Sequence, residues 1–505
     1  MSGAVPPVEP AVVPVPVSAF RRIFSFPVFL CFLLAVLALL TVRGRFDDPD
    51  MWWHLRNGQV IWTTHTIPTA DQYSYTTNHV ASVPEEWLSE ATIYAAYKLR
   101  GYSGLMLWLW GFSAALFIAG YGLCKMCSGN AKVAFAGALV VWFFSTVGLA
   151  VRGQMIGYLL LIAELVLLHL GRSRNPRWFW ALPVLFLLWV NCHGSFFLGL
   201  VVLGIGVLCS FFKFQAGSLV SDGLNAGSRR TLMLSAIFSL AATFLNPVGW
   251  RQVFYPVNTF LHQHIVVTQI EEWKPLALSD PRGAGLIAIL GLIFIYMVVR
   301  RESRLFLEEL LLLGAGTWLA LNHRRMAIVF GILAAPVVSR LFARSWENYE
   351  PEKDLPIANG VLMAAAIVAV FLAFPSRQLL AKQVEDGSPV KAVEYIKTHH
   401  LSGNMMNTFV DGGYLIWAMP EHPVFIDGRA DVFEWTGVLR EFGEWAMLQS
   451  NPNALLDKYR IGFCLLEKDS PMTYVFPLMP NWKEVYSDDS SVIFVRAGSG
   501  APAAQ

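Results

Sequence analysis

Phe46-Asp47-Asp48-Pro49-Asp50-Met51-Trp52-Trp53-His54-Leu55-Arg56 is the stretch on which the reading of this chain turns. Its three carboxylates follow an apolar block, Ile23 to Val42, long enough to cross a bilayer. Ionised groups this close to hydrocarbon are costly, and where they occur they mark a substrate, an ion or catalysis. Arg21 and Arg22 precede the block, and Arg43, Gly44 and Arg45 follow it where a cleaved leader would have small residues. An uncleaved first span with its N-terminus in the cytoplasm is expected. Residues 1–22 hold Pro6, Pro7, Pro10, Pro14 and Pro16 among valines, the composition of a disordered cytoplasmic tail.

Outward from this stretch, apolar residues dominate. Of 505 residues 55% are hydrophobic and only 15% charged, and the apolar residues fall in blocks. That composition predicts an α-helical polytopic membrane protein surrounded by membrane lipids. Blocks at 23–42, 103–124, 131–150, 154–171, 177–192, 195–213, 231–246, 283–299, 308–322, 324–343 and 357–374 predict about eleven transmembrane helices. If each crosses once, Arg172, Arg174, Arg177, Lys213, Arg229, Arg230, Arg300, Arg301, Arg304 and Arg344 all fall on the cytoplasmic side, as the positive-inside rule requires. A net charge of +2 gives no reason to expect nucleic acid as a partner. Five of the six cysteines lie in or beside apolar blocks, so no disulfide framework is indicated. Cys124 and Cys127, with no second pair and no histidine nearby in sequence, read as packing residues.

This topology sends three polar segments to the outer face: the loop 43–102, the loop 247–282, and residues 375–498, with 499–505 a flexible end. The last is expected to be a soluble extracytoplasmic (periplasmic or extracellular) α/β domain. It shows a helix near 389–400, strand-like runs at Val424–Asp427 and Gly462–Leu466, and a hairpin over Trp482–Val495. Residues 23–374 form the membrane domain. Arg152, Arg324 and Arg325, with His193 and His323, break the charge rule by standing in short outward connections. Guanidinium groups bind phosphate through paired hydrogen bonds, so this cluster is a candidate site for the phosphate of a lipid carrier. Snorkelling to headgroups, or pairing with loop acids, is the plainer alternative.

In the opening stretch, Asp50, Trp52, Trp53, His54 and Arg56 resemble the first external loop of oligosaccharyltransferase catalytic subunits. Asn407, Thr408, Phe409, Val410, Asp411, Gly412, Gly413, Tyr414, Leu415 and Ile416, followed by Pro423 to Asp427, resemble the region that opens the soluble domain of the same enzymes. Glu86-Trp87-Leu88, Arg152 with Gln154, Asn191 with His193 and Gly194, Asn246 with Pro247 and Gly249, Glu272 with Trp273 and Pro275, and Asp427-Gly428-Arg429-Ala430-Asp431 look like a bacterial family of multi-span glycosyltransferases of the C class (GT-C). These pieces cover nearly the whole chain. The resemblance implies a GT-C enzyme of the cytoplasmic (inner) membrane. It would transfer a sugar with inversion from a polyprenyl-phosphate or polyprenyl-diphosphate donor to a glycan, lipid or protein acceptor at the outer face.

Such chemistry needs a carboxylate to take the acceptor's proton and positive charge or a metal to receive the departing phosphate. Asp50 is the leading catalytic candidate, with Asp48 and Glu86 assisting. Asp47, His54, Arg56, Arg152, His193, Glu271, Glu272, His323, Arg324, Arg325 and Asp411 are candidate substrate-binding residues. Trp52, Trp53, Trp87 and Trp273 are candidates to stack on a sugar face, against the plainer reading of an interfacial aromatic belt; His262 and His264 read as interfacial. A divalent cation (Mg²⁺ or Mn²⁺) is the candidate cofactor, with Asp50 and Glu272 as ligands if it is present. The departures from the resemblance bear on this point. The connection at Arg152-Gly153-Gln154 lacks the acids that complete a metal site in oligosaccharyltransferases, and Phe409 and Val410 stand where those enzymes have two tryptophans that meet the peptide acceptor. Gly412 and Gly413 suggest a backbone turn. Two other classes compete: a lipid or polysaccharide transporter, for which Glu164 and His169 are the ionisable candidates within a span, and a non-catalytic scaffold of envelope assembly.

Overall fold

The computed structural model describes residues 18–497 apart from 47, 264, 266, 267 and 269. Expectations for Asp47, His264, residues 1–17 and residues 498–505 lie outside the described residues. Each of the eleven apolar blocks contains a helix. Among the described residues, six helical stretches are long and apolar enough to cross a membrane: Ala19–Val42, Tyr102–Ser128, Gln154–Ser173, Pro281–Val299, Arg324–Ser345 and Pro356–Ala373. The remaining blocks hold the shorter helices Ala131–Ser145, Leu182–Cys192, Phe196–Cys209, Ala226–Ala242 and Leu307–Asn322. The molecule is a mostly helical, multi-pass membrane protein with a small sheet region at its C-terminal end.

Small residues bring the central helices together. A Cβ on Gly137 would overlap Ser339 Oγ and come within 2.7 Å of Cys124 Sγ, so Cys124 is a packing contact between helices. Cys127 differs from its sequence reading, because the fold brings His169 Nδ1 to 3.8 Å from its sulfur. Among the described residues, no group of three potential metal ligands forms there or elsewhere. Glu164 is buried in the helix Gln154–Ser173, with neither carboxylate oxygen hydrogen-bonded.

The segment 43–102, expected only as a loop, contains two helices, Met51–Thr64 and Trp87–Arg100. They pack where a Cβ on Gly58 would overlap Glu90 O, so only glycine permits this approach. The strip between them is fastened to the C-terminal region. Tyr75 N–H donates to Val424 O (3.2 Å), Val424 N–H to Tyr73 O (2.9 Å), and Thr76 Oγ1 to Phe425 O (2.6 Å).

In the C-terminal region the expected helix is Val390–Thr398, and the expected hairpin pairs Trp482–Ser487 with Ser491–Arg496. The sheet order is Asn404–Asn407, Ile461–Glu467, Ser491–Arg496, Trp482–Ser487, with the first pair parallel and the others antiparallel. Val424–Asp427 is not a strand of this sheet and forms only a bridge to Ser74. The Asn407 side chain takes its backbone groups instead, accepting from Phe425 N–H (2.7 Å) and donating to Ile426 O (2.7 Å). Gly412 and Gly413 open the helix Gly412–Ala418 rather than making a turn. A Cβ on Gly412 would overlap Ile426 O, and one on Gly413 would overlap Pro49 O.

Candidate functional site

Asp50 lies immediately before the helix Met51–Thr64 and makes no capping bond with its side chain, which leaves the carboxylate free to point elsewhere. It points at Arg152, in the short connection before the helix Gln154–Ser173, with Oδ2 3.0 Å from Nη1. Asp48 holds the same guanidinium in a two-pronged grip, accepting from Nε and Nη2 at 2.6 Å each. Glu272, from the loop 247–282, accepts from Arg152 Nη1 at 3.3 Å. One guanidinium therefore gathers three carboxylates from two distant loops. Asp48 is the more enclosed of the two aspartates, 9% exposed against 20% for Asp50, and it also accepts the Asp50 N–H. Of the two aspartates, Asp50 is the one a second molecule reaches more readily. Burial raises its carboxyl above the ordinary range, with Arg152 opposing and Asp48 adding to the shift.

Glu86 forms the second half of the group. Its Oε2 accepts Gly153 N–H (3.2 Å) and lies 3.6 Å from His54 Nδ1, while its Oε1 meets His193 Nε2 at 3.2 Å. Ser195 N–H donates to His193 Nδ1 (2.9 Å), so the proton of the neutral ring sits on Nε2 and points at Glu86. Burial holds His193 down to about 3, hence neutral, and pushes Glu86 up. Glu90, one turn beyond Glu86, meets His54 Nδ1 at 3.2 Å and accepts from Asn57 Nδ2 at 2.9 Å. Burial raises its carboxyl to about 8. Sequence reading missed Glu90, although the four-residue step from Glu86 would place both acids on one helix face.

The C-terminal region closes over this group. A Cβ on Gly428 would overlap Asp50 Oδ1 and reach 3.4 Å from Trp53 Nε1, a buried donor without a hydrogen-bond partner among the described residues. Gly428 is set in place by its neighbours. Arg429 donates through Nε and Nη2 to Asp427 (2.8 and 2.6 Å) and through Nη1 to Asp71 (2.6 Å), all three side chains being buried. Burial alone would raise Asp71, but Arg429 and Ser74 more than offset it and hold its carboxyl below the ordinary value. The Asp427-Gly428-Arg429 motif thus positions the lid on Asp50.

Other predicted residues stand apart. Trp52 is buried edge-on against Tyr102 and Tyr414 and has no face left for a sugar. Arg56 reaches Gln59 of its own helix (2.5 Å), and Trp87 Nε1 donates to Asn191 Oδ1 (2.8 Å). Asp411 accepts from Thr408 Oγ1 (2.7 Å) in a local turn and is only 9% exposed. Glu271 is solvated and paired with Lys274 at 2.7 Å. Arg324 stands off, with Nη2 3.3 Å from Asp280 and Nη1 3.8 Å from Glu271. Arg325 takes the inner position, donating to Gln154 Oε1 (3.0 Å), lying 3.8 Å from Glu272 and stacking over Trp273 with 4.7 Å to the ring centre. His323 lies beneath, with Nδ1 2.9 Å from Trp273 O.

The donor set does not fit a divalent cation. Asp50 and Glu272 both face Arg152 Nη1, so the place where their charges meet already holds a fixed cation. Among the described residues no three His, Cys, Asp or Glu side chains are grouped to bind a metal.

Comparison with solved structures gives the architecture a precedent. The oligosaccharyltransferase of Archaeoglobus fulgidus tethered with an acceptor peptide matches with a TM-score of 0.52 at 10% identity, over 95% of this chain and 75% of that one. ArnT from Cupriavidus metallidurans bound to undecaprenyl phosphate matches with a TM-score of 0.54 at 13% identity, over 93% and 98%. The chain has a GT-C fold. A further match is archaeal AglB from Archaeoglobus fulgidus in complex with an inhibitory peptide and a dolichol-phosphate, with a TM-score of 0.51 at 10% identity over 96% and 76%. No family model and no curated protein matches the sequence. On this GT-C fold, the opening aspartate stretch and the Asp427-Gly428-Arg429 motif meet at one place.

Proposed function

We propose that this chain is a membrane glycosyltransferase that takes a sugar from a polyprenyl-phosphate or polyprenyl-diphosphate donor and passes it to an envelope acceptor. The observation that carries this reading is the convergence on Arg152 of Asp48, Asp50 and Glu272, beneath the closely fitting Gly428. In the reaction, an acceptor hydroxyl attacks the anomeric carbon from the face opposite the phosphate, with inversion. The bond from that carbon to the phosphate oxygen breaks, its electron pair leaves with the phosphate, and the acceptor proton passes to Asp50. Burial makes Asp50 a stronger base than a surface carboxylate. Arg325, less enclosed by acids than Arg152, supplies the charge that receives the phosphate. Undecaprenyl phosphate and dolichol-phosphate in the GT-C neighbours support a lipid carrier as donor. Eleven spans, with the short helices also crossing, together with the arginines that the positive-inside rule assigns to the cytoplasm, support a cytoplasmic N-terminus and a site on the outer face of the cytoplasmic membrane.

The test is Asp50→Asn in the native host, with protein level checked and lipid-linked sugars and envelope glycans measured by mass spectrometry. One polyprenyl-linked sugar should accumulate, as it should when the gene is deleted. If neither the variant nor the deletion changes any glycan or lipid-linked sugar, the transferase reading fails.

A further inference from the structure

A separate cavity of about 190 Å³ lies beside the carboxylate cluster, where three parts of the chain meet. Trp250, Arg251, Tyr255 and Asn258 of the helix Trp250–His262 form one wall, Asp431 and Trp435 of the helix Ala430–Thr436 another, and Val80, Ala81 and Val83 a third. The two indoles are open to the surroundings, Trp250 64% and Trp435 57% exposed. Asp431 is hydrogen-bonded to the Tyr255 side chain. The walls are tied together by Gln263 Nε2 donating to Asp431 O (3.3 Å) and by Ile265 N–H donating to Glu434 Oε1 (2.8 Å). Glu85 is within electrostatic reach of both Asp431 and Glu86, and Asp431 is three residues from Gly428, so the cavity adjoins the Asp50 site.

Exposed indoles, Trp435 with the His262 ring tilted against it at 6.0 Å, beside a carboxylate, an amide and a guanidinium match the two surfaces of a sugar ring, its C–H face and its rim of hydroxyls. A patch built only to sit in hydrocarbon would not hold the Asp431 carboxylate among its tryptophans, because its desolvation there is unfavourable. The volume is below the roughly 300 Å³ at which sites for drug-sized ligands begin, and suits a single ring. We propose that this cavity binds one sugar ring of the acceptor, so that the acceptor is a saccharide. The proposal rests on the transferase reading for the word acceptor, but saccharide binding itself is independent of Asp50.

Saturation-transfer NMR on the full chain in a sugar-free detergent, with the methyl glycosides of glucose, galactose, mannose and N-acetylglucosamine as probes, tests it. The ring protons of at least one glycoside should receive saturation. The signal should fall at least fivefold in Trp435→Ala and in Asp431→Asn, each checked for wild-type thermal unfolding, and should persist in Asp50→Asn. Trp250→Ala serves in place of any variant that does not fold. Saturation of none of the four probes, or saturation unchanged in the folded variants, overturns the proposal. So does saturation of phosphatidylglycerol headgroup protons in bicelles in place of the glycosides. Loss of transfer in Asp50→Asn with saccharide binding retained separates this result from the fate of the transferase reading.

Discussion

Arg152→Ala tests the candidate site where most of its geometry meets. It leaves Asp48 and Asp50 facing each other without their shared cation, at 9% and 20% exposure. Removing one partner from a buried ion pair costs about 3–5 kcal/mol. Some water reaches these side chains, so the lower end, about 3 kcal/mol, is expected. Glu272 is 41% exposed, and losing its contact adds less than about 1 kcal/mol. Denaturant unfolding of the purified protein measures the loss of stability, and transfer from lipid-linked sugar measures activity. Arg152→Lys keeps the charge but loses the planar fork that serves Asp48, Asp50 and Glu272 together. It should recover most of the stability and little of the rate. Wild-type transfer should withstand EDTA, whereas Arg152→Ala, with three carboxylates released, should bind Mn²⁺ detectably by electron paramagnetic resonance. Wild-type transfer abolished by EDTA and restored by Mn²⁺ would refute the reasoning, as would an Arg152→Ala protein with wild-type stability and rate.

Gly428→Ala places a methyl group where Asp50 Oδ1 lies and should displace that carboxylate. Misplacement on the scale of 1 Å costs roughly 10²-fold in rate, so kcat should fall by about that factor while the protein still folds; an unchanged kcat would show that Gly428 does not set Asp50. Glu90, raised to about 8, is protonated at neutral pH, so Glu90→Gln keeps its shape and charge state and should transfer at close to the wild-type rate at pH 7. Because the folded protein binds this proton more tightly than the unfolded chain, Glu90 makes stability fall as pH rises from about 4.5 towards 8, by up to about 1.4 kcal/mol per pH unit. Glu90→Gln should flatten the fall measured by thermal unfolding between pH 5 and 8, and an equally steep fall in the variant would assign the slope to other groups.

Much of the fold was legible because apolar blocks are local signals. Each expected block contains a helix, and the Trp482–Val495 hairpin was visible from alternation around Asp488. The two helices of the segment 43–102 escaped notice because their apolar faces are short and broken by His54, Arg56 and Glu90, of which His54 and Glu90 belong to the candidate site. Val424–Asp427 has the composition of a strand, yet its backbone groups are taken by the Asn407 side chain and by Tyr73, Tyr75 and Thr76. Within the candidate site, Asp50 was singled out by the family resemblance and Arg152 as an exception to the charge rule. Their partnership was not, because they are 102 positions apart and nothing local joins them.

From the order of its residues alone the chain is a many-helix membrane protein with an acidic stretch after its first span and a mixed α/β region after its last. Both properties depend on composition and short-range periodicity, which no distant contact alters. Only the tertiary structure decided which acids share Arg152, that Trp52 packs while Trp53 faces the site, and that Arg325 stands inside Arg324. Those outcomes depend on how closely backbones can approach at Gly58, Gly412, Gly413 and Gly428. A glycine in a sequence shows that such an approach is allowed, and only the folded chain shows what comes close.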